Sequence, residues 1–184
     1  MICTRGGDNR GGSQMHRFVA AALLGTGLAA APASAARSQK AQIDLHGNYV
    51  RTTQTWTTAW GAGGALQVTW GGQHDPINVG TALGVDRTKQ ESDGPTQTGG
   101  TFDLTVQPGG NSPLVPYVGA SSSVNWSGGA GAQWSGARHG LELIAGLQFK
   151  PGVGSVSLNA QERYGYVEGQ EHTLTTRLGV LVSP

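Results

Sequence analysis

From Ile43 to the end of the chain, apolar and polar side chains alternate with a period of two. The alternation is broken by turn chemistry such as Gln73-His74-Asp75-Pro76, Pro108-Gly109-Gly110-Asn111-Ser112-Pro113 and Pro151-Gly152-Val153-Gly154. This period marks half-buried β-strands. Eight segments follow it. IDLHGNYVRT sets Ile43, Leu45 and Tyr49 against Asp44, His46 and Asn48, and INVGTALGVDRT sets Ile77, Val79, Leu83 and Val85 against Asn78 and Asp86. TFDLTVQ and LVPYVGASSSVNWS repeat the pattern, the second with Leu114, Val118, Val124 and Trp126 opposite Tyr117, Ser121, Ser123 and Asn125. It is sharpest in GLELIAGLQFK, where Leu141, Leu143, Ala145, Leu147 and Phe149 oppose Glu142, Gly146, Gln148 and Lys150. SVSLNAQERYGYV and HTLTTRLGVLVS complete the set; in the former Glu162 falls on the apolar face, a misfit.

The remaining segment, WGAGGALQVTWGG from Trp60, is too rich in glycine for a helix, each interior Gly costing roughly 1 kcal/mol against Ala. As a strand it puts Trp60, Ala62, Gly64, Leu66, Val68 and Trp70 on one face and Gly61, Gly63, Ala65, Gln67 and Thr69 on the other. Eight strands in succession predict an antiparallel up-and-down meander, which loses its edges by closing into a barrel. The side that faces inward decides the class. A soluble barrel is filled by its large apolar residues. A transmembrane barrel instead turns Leu, Val and Ala to lipid between two aromatic girdles and keeps small and polar residues inside.

The tryptophan spacing favours the membrane. Ten residues at about 3.3 Å each, tilted by roughly 40°, rise about 25 Å, the height of the apolar band on such barrels. Trp126, Tyr164 and Tyr166 end outward-running segments and Phe149 ends an inward-running one, so with Trp60 and Trp70 they form the expected girdles. Asp44, His46, Glu142, Lys150, Arg163 and Arg177 are the expected interior polar residues, with Glu142 pairing Arg163 or Arg177 to offset burial. Gly61 and Gly63 make room for neighbouring side chains.

These patterns, concentrated in LVPYVGA, GLELIAGLQFKPGVG and ERYGYV, resemble the small eight-stranded outer-membrane β-barrel proteins, the OmpA/OmpX-like and opacity-type porin-family group. The resemblance spans Ile43 to the C-terminus. It implies an all-β, eight-stranded antiparallel transmembrane β-barrel in the cell outer membrane of a Gram-negative bacterium, with outer-membrane lipid as its surroundings and the barrel-assembly machinery as a partner in biogenesis. Such barrels usually end in an aromatic that the assembly machinery recognises, whereas this chain ends Val182-Ser183-Pro184.

The first 35 residues are set apart from the fold. Met15-His16-Arg17, the apolar run Phe18 to Ala31 and Ala33-Ser34-Ala35 form a secretory signal peptide with cleavage after Ala35, and residues 1–14 read as an upstream extension. The apolar run falls short of the roughly 20 residues of a membrane-spanning helix. The single cysteine, Cys3, lies in this leader, so residues 36–184, one barrel domain, carry no disulfide and no thiol chemistry. Without the leader nine basic and ten acidic residues remain, a balance that gives no footprint for nucleic acid.

Catalytic and cofactor chemistry is sparse. His46, His74, His139 and His172 show no metal-site spacing, and no metal or cofactor site is expected. The resemblance brings in lipid-modifying enzymes that use His with Ser and an acid near the outer rim, but neither Arg138-His139 nor Glu171-His172-Thr173 includes a serine. Asn125-Trp126-Ser127 matches a glycosylation sequon by chance, and the glycine runs at 92–100 and 128–132 are exposed loops rather than phosphate cradles, since neither opens a helix. An eight-stranded barrel is filled by its own side chains, so no open pore is expected. The resulting expectation is a non-enzymatic structural or surface-interaction protein, whose outer loops Lys89 to Gly100 and Ser127 to Gly140 would meet a host or environmental surface ligand. The alternatives are a soluble β-barrel binding a small apolar ligand and a lipid-modifying enzyme.

Overall fold

A computed structural model describes residues 39–72, 74–91, 94–128, 136–152 and 155–184. The expected signal peptide and its cleavage site lie outside the described residues. Eight strands run in chain order: β1 Gln39–Thr52, β2 Thr58–Trp70, β3 Ile77–Gln90, β4 Thr96–Pro108, β5 Leu114–Gly128, β6 Arg138–Phe149, β7 Val156–Val167 and β8 His172–Val182. Each pairs antiparallel with the next, and β8 closes on β1. Closure gives every strand two neighbours, so the backbone N–H and C=O groups are satisfied without water, as a lipid environment requires. The final strand is paired through its last residue, Val182 facing Val156 on one side and Ile43 on the other.

The register of the barrel can be followed around one ring of paired residues. From Trp70 the partners run Val79, Val106, Val118, Ala145, Glu162, Thr176 and Tyr49, and the ring returns to β2 at Trp60. The offset is ten residues, which is the shear of the barrel. With eight strands it corresponds to a tilt of roughly 40° and a radius of about 8 Å. The two tryptophans thus mark both the height of the apolar band and the stagger that closes it.

The large apolar side chains face outward. Leu141 is 71% exposed, Leu143 67% and Leu178 64%, while Arg163 on the opposite face is 1% exposed. This inversion is that of a transmembrane barrel and rules out the apolar-filled soluble one. Val115, Ile144, Val167 and Leu181 are the apolar exceptions buried inside.

Two loop expectations are corrected. Residues 96–100, expected in an exposed loop, begin β4, with Thr96 to Gly100 paired to Lys89–Val85 and to Gly128–Val124. Ser127 and Gly128 likewise belong to β5, and Arg138 to Gly140 to β6. The ladder needs only backbone groups, so small polar residues extend it without an apolar signature. The loop at the end of β3 shortens to 91–95, and residues 129–135, with the glycine run at 129–132, lie outside the described residues.

Inward glycines admit the large interior side chains. A Cβ on Gly63 would come within 2.1 Å of Asp86 Oδ1 and 2.7 Å of His46 Nε2, and one on Gly146 within 2.3 Å of the Tyr117 ring. Gly146→Val should therefore lower the unfolding free energy by about 1–3 kcal/mol through overpacking. Ala145→Val, one residue away and facing outward, should leave it nearly unchanged. Urea unfolding of lipid-reconstituted protein, followed by tryptophan emission, separates the two.

Candidate functional site: interior septum, outer cup and rim

Halfway along the barrel the inward residues form a charged septum. Arg163 donates to both carboxylate oxygens of Asp103, at 2.6 and 3.2 Å, and its Nε lies 2.8 Å from Glu142 Oε2, close in charge but not aligned as a hydrogen bond. Arg177 donates to Asp86, which also accepts from Asn48 Nδ2 at 2.7 Å and meets His46 Nε2 at 2.7 Å. His46 Nδ1 in turn lies 3.3 Å from Asp44 Oδ1. Asn159 bridges Asp44 to the Tyr117 hydroxyl. Seven strands supply these groups; β2 supplies Gly63, the space they occupy. Of the six expected interior residues, Asp44, His46, Glu142, Arg163 and Arg177 meet here. Lys150 instead follows the last residue of β6, half-buried at the mouth that holds the strand termini Gln39 and Val182, where burial and then Lys40 push its pKa down.

The septum divides the lumen. On the side of the 53–57 and 168–171 turns, the outer end, a polar cup of about 660 Å³ opens between hydroxyl and amide side chains, among them Thr52, Thr88, Gln97, Ser123 and Thr175. Its floor is Asp86, Glu142 and Arg177. Buried atoms of three lining residues, Asn48 Oδ1, Glu142 Oε2 and Arg177 Nε, have no hydrogen-bond partner among the described residues. Below Arg177 lies a separate void of about 30 Å³, room for about one water molecule.

The outer rim is tied together by two carboxylates. Glu171 accepts from the backbone N–H of Thr55 at 2.9 Å and of Gln54 at 3.2 Å, joining the β1–β2 turn to the β7–β8 turn. The Thr55 backbone bond is the main reason its carboxyl is held below the ordinary value. Glu91 accepts from the Thr58 hydroxyl and, at 2.7 Å, from the Trp60 indole, and these bonds, the first being the stronger influence, hold its carboxyl low as well. Trp56, at the tip of the first turn, has φ = 56°, a left-handed conformation unusual for so bulky a residue, and the Arg51 guanidinium lies 4.8 Å from its ring centre.

The aromatic residues stand at the two ends. Trp60, Trp126, Tyr164 and Tyr166 face outward at the outer end, Phe149 ends β6 at the inner end, and Trp70 ends β2 there. Tyr49, not foreseen as part of the belt, packs on Trp60 with ring centres 4.4 Å apart. His172 stacks on Tyr164 and touches Tyr166, and His139 faces outward beside Val124; neither has a serine hydroxyl as partner among the described residues. His74 lies in the β2–β3 turn. Glu162 does face outward, its carboxylate accepting from the Thr176 hydroxyl at 2.8 Å. No group of three His, Cys, Asp or Glu placed to hold a metal ion occurs among the described residues.

No family model and no curated protein matches the chain in sequence. Solved structures match in fold. The outer membrane enzyme PagL superposes with a TM-score of 0.53 at 17% identity, over 76% of this chain and 98% of that one. Ail, the attachment invasion locus protein of Yersinia pestis, superposes with a TM-score of 0.51 at 17% identity, over 79% and 97%. A second Ail structure, in complex with the heparin analogue sucrose octasulfate, gives 0.50 at 16%, over the same shares. At these identities the likeness shows the fold. It is that of the small eight-stranded outer-membrane β-barrels.

Two outcomes follow from this geometry. Arg163→Leu leaves Asp103 and Glu142 buried without their cation and should cost about 3–5 kcal/mol in urea unfolding. Because the folded-state pKa of Glu91 lies below its ordinary 4.5, its contribution is complete above that value and is lost as pH falls through the lower folded value. The Trp60 emission should therefore be flat from neutrality to about pH 5, change only below that range, and lose this acid step in Glu91→Gln.

Proposed function

We propose that this protein is an integral outer-membrane barrel, exported by the signal peptide at its N-terminus, that acts as a closed platform for interactions at the cell surface rather than as a pore or an enzyme. The observation that carries this reading is the combination of a lipid-facing apolar band with a charged septum that separates the outer cup from the void beneath it. A cup walled by hydroxyls and amides suits a polar, hydroxyl-bearing ligand, held by hydrogen bonds in place of water. The Ail structure with a heparin analogue supports surface recognition as a use for this fold.

The PagL likeness keeps the lipid-modifying enzyme as the second reading. Alanine at His139 and at His172 separates the two: lipid A composition unchanged by either supports the platform, and a loss of modification by either supports the enzyme. The platform reading expects the protein to stay with the membrane after carbonate extraction and to give no stepwise ion conductance in planar bilayers. Release by carbonate would overturn the membrane placement, and steady conductance would overturn the closed septum.

A further inference from the structure

The Lys and Arg residues of the strands are not spread evenly over the outer surface. Alternation places Lys40 on the inward face with Gln42, Arg138 inward with Gly140, and Arg163 and Arg177 in the septum. The outward-facing cations of the described strands are Arg51 on β1 and Arg87 and Lys89 on β3, all at the outer end of three consecutive strands. Lys89 pairs with Trp60, Arg87 with Ala62 and Arg51 with Thr58. The ring climbs about 3 Å per strand at the shear found above, so the three cations lie within a few ångströms of the level of Trp60, at the aromatic girdle. Arg87 and Lys89 are exposed, and neither has an ion-pair partner among the described residues. The carboxylate of Glu91, two residues beyond Lys89, is already held by Thr58 and Trp60.

Beneath the cations the apolar face is indented. Gly47, Ala62 and Gly64 leave two shallow, widely open depressions, one on β8, β1 and β2 bounded by Leu45, Leu178 and Val180 and one on β1, β2 and β3 bounded by Leu66 and Val85. On the far side of the barrel the same levels carry Tyr164, Tyr166, Leu141 and Leu143 and no fixed cation. Arg87 and Lys89, with Arg51 stacked on Trp56 beside them, stand at the girdle above depressions in the band and form one amphipathic surface.

We infer that β1–β3 and the adjoining face of β8 hold one phosphorylated, multiply acylated glycolipid of the outer leaflet, its phosphate on Arg51, Arg87 and Lys89 and its acyl chains in the depressions over Gly47, Ala62 and Gly64. Cations at a membrane surface attract anionic headgroups, and the depressions give the chains a seat that a smooth apolar wall lacks. The cations share β1–β3 with the second depression, and the first adjoins them on β8, β1 and β2, which ties the site to a lipid rather than to a soluble anion. The inference rests on the outer-membrane placement proposed above.

The test is native mass spectrometry of folded protein released from detergent micelles, titrated with lipid A and, separately, with the same lipid stripped of its phosphates. The expected result is one lipid A retained per barrel, with affinity about thirtyfold weaker for Arg87→Gln/Lys89→Gln, two surface cations being lost. Gly47→Leu, where an added Cβ meets nothing nearer than 3.9 Å, fills the first depression and should also weaken retention. Leu141→Ala/Leu143→Ala, on the other side, should not. Equal retention of the dephosphorylated lipid, or unchanged binding by the charge variant, overturns the site while leaving the barrel in the membrane. Failure to fold in lipid would instead overturn the placement on which the inference rests.

Discussion

The structure depends on one constraint: every backbone N–H and C=O of the sheet must find its partner inside the sheet, because lipid offers none. Eight strands meet that demand only if the first and last pair with each other, and they pair at a stagger of ten residues. That stagger fixes the tilt and the radius. The radius in turn leaves a lumen narrow enough for side chains to bridge at mid-height, where its contents are salt bridges set against glycines.

The septum follows from this economy of space. Arginine brings length and a fork of donors that reaches across the lumen, so Arg163 can bind Asp103 from a strand three places away around the barrel while its Nε faces Glu142. Such groups cost more to bury than leucines would, and they hold together only while each keeps its partner. Gly63, Gly146 and Gly165 supply the complementary hollows, Gly165 lying where a Cβ would meet Glu142 Cγ at 2.4 Å. The glycine-rich strand WGAGGALQVTW, unfit for a helix, is the one that makes room for the His46–Asp86 contact.

Much of the architecture was legible in the sequence because period-two alternation reports directly on which face a residue occupies. The faces of GLELIAGLQF and the outward misfit Glu162 stand where the alternation put them, and of the two arginines open to Glu142 it is Arg163 that lies beside it. The stretch TQTGG was not legible, since threonine, glutamine and glycine give no contrast between faces, although its backbone continues the ladder. Nor were the partners of Asp86, because alternation says which side a residue faces and not at what height it meets its neighbours. The rim contacts of Glu91 and Glu171 join strands far apart in sequence, and no local pattern announces them.

The cup, the cations and the depressions have meaning only if Leu141 and Leu143 touch lipid and Glu142 and Ile144 do not. Nitroxide labels on single cysteines at 141 to 148, introduced with Cys3 replaced and read by their collision with oxygen and with a water-soluble nickel chelate in lipid vesicles, report this most directly. A two-residue period is expected, with high oxygen access at 141, 143, 145 and 147 and low access at the positions between them. A reversed period, or none, would contradict this arrangement of faces.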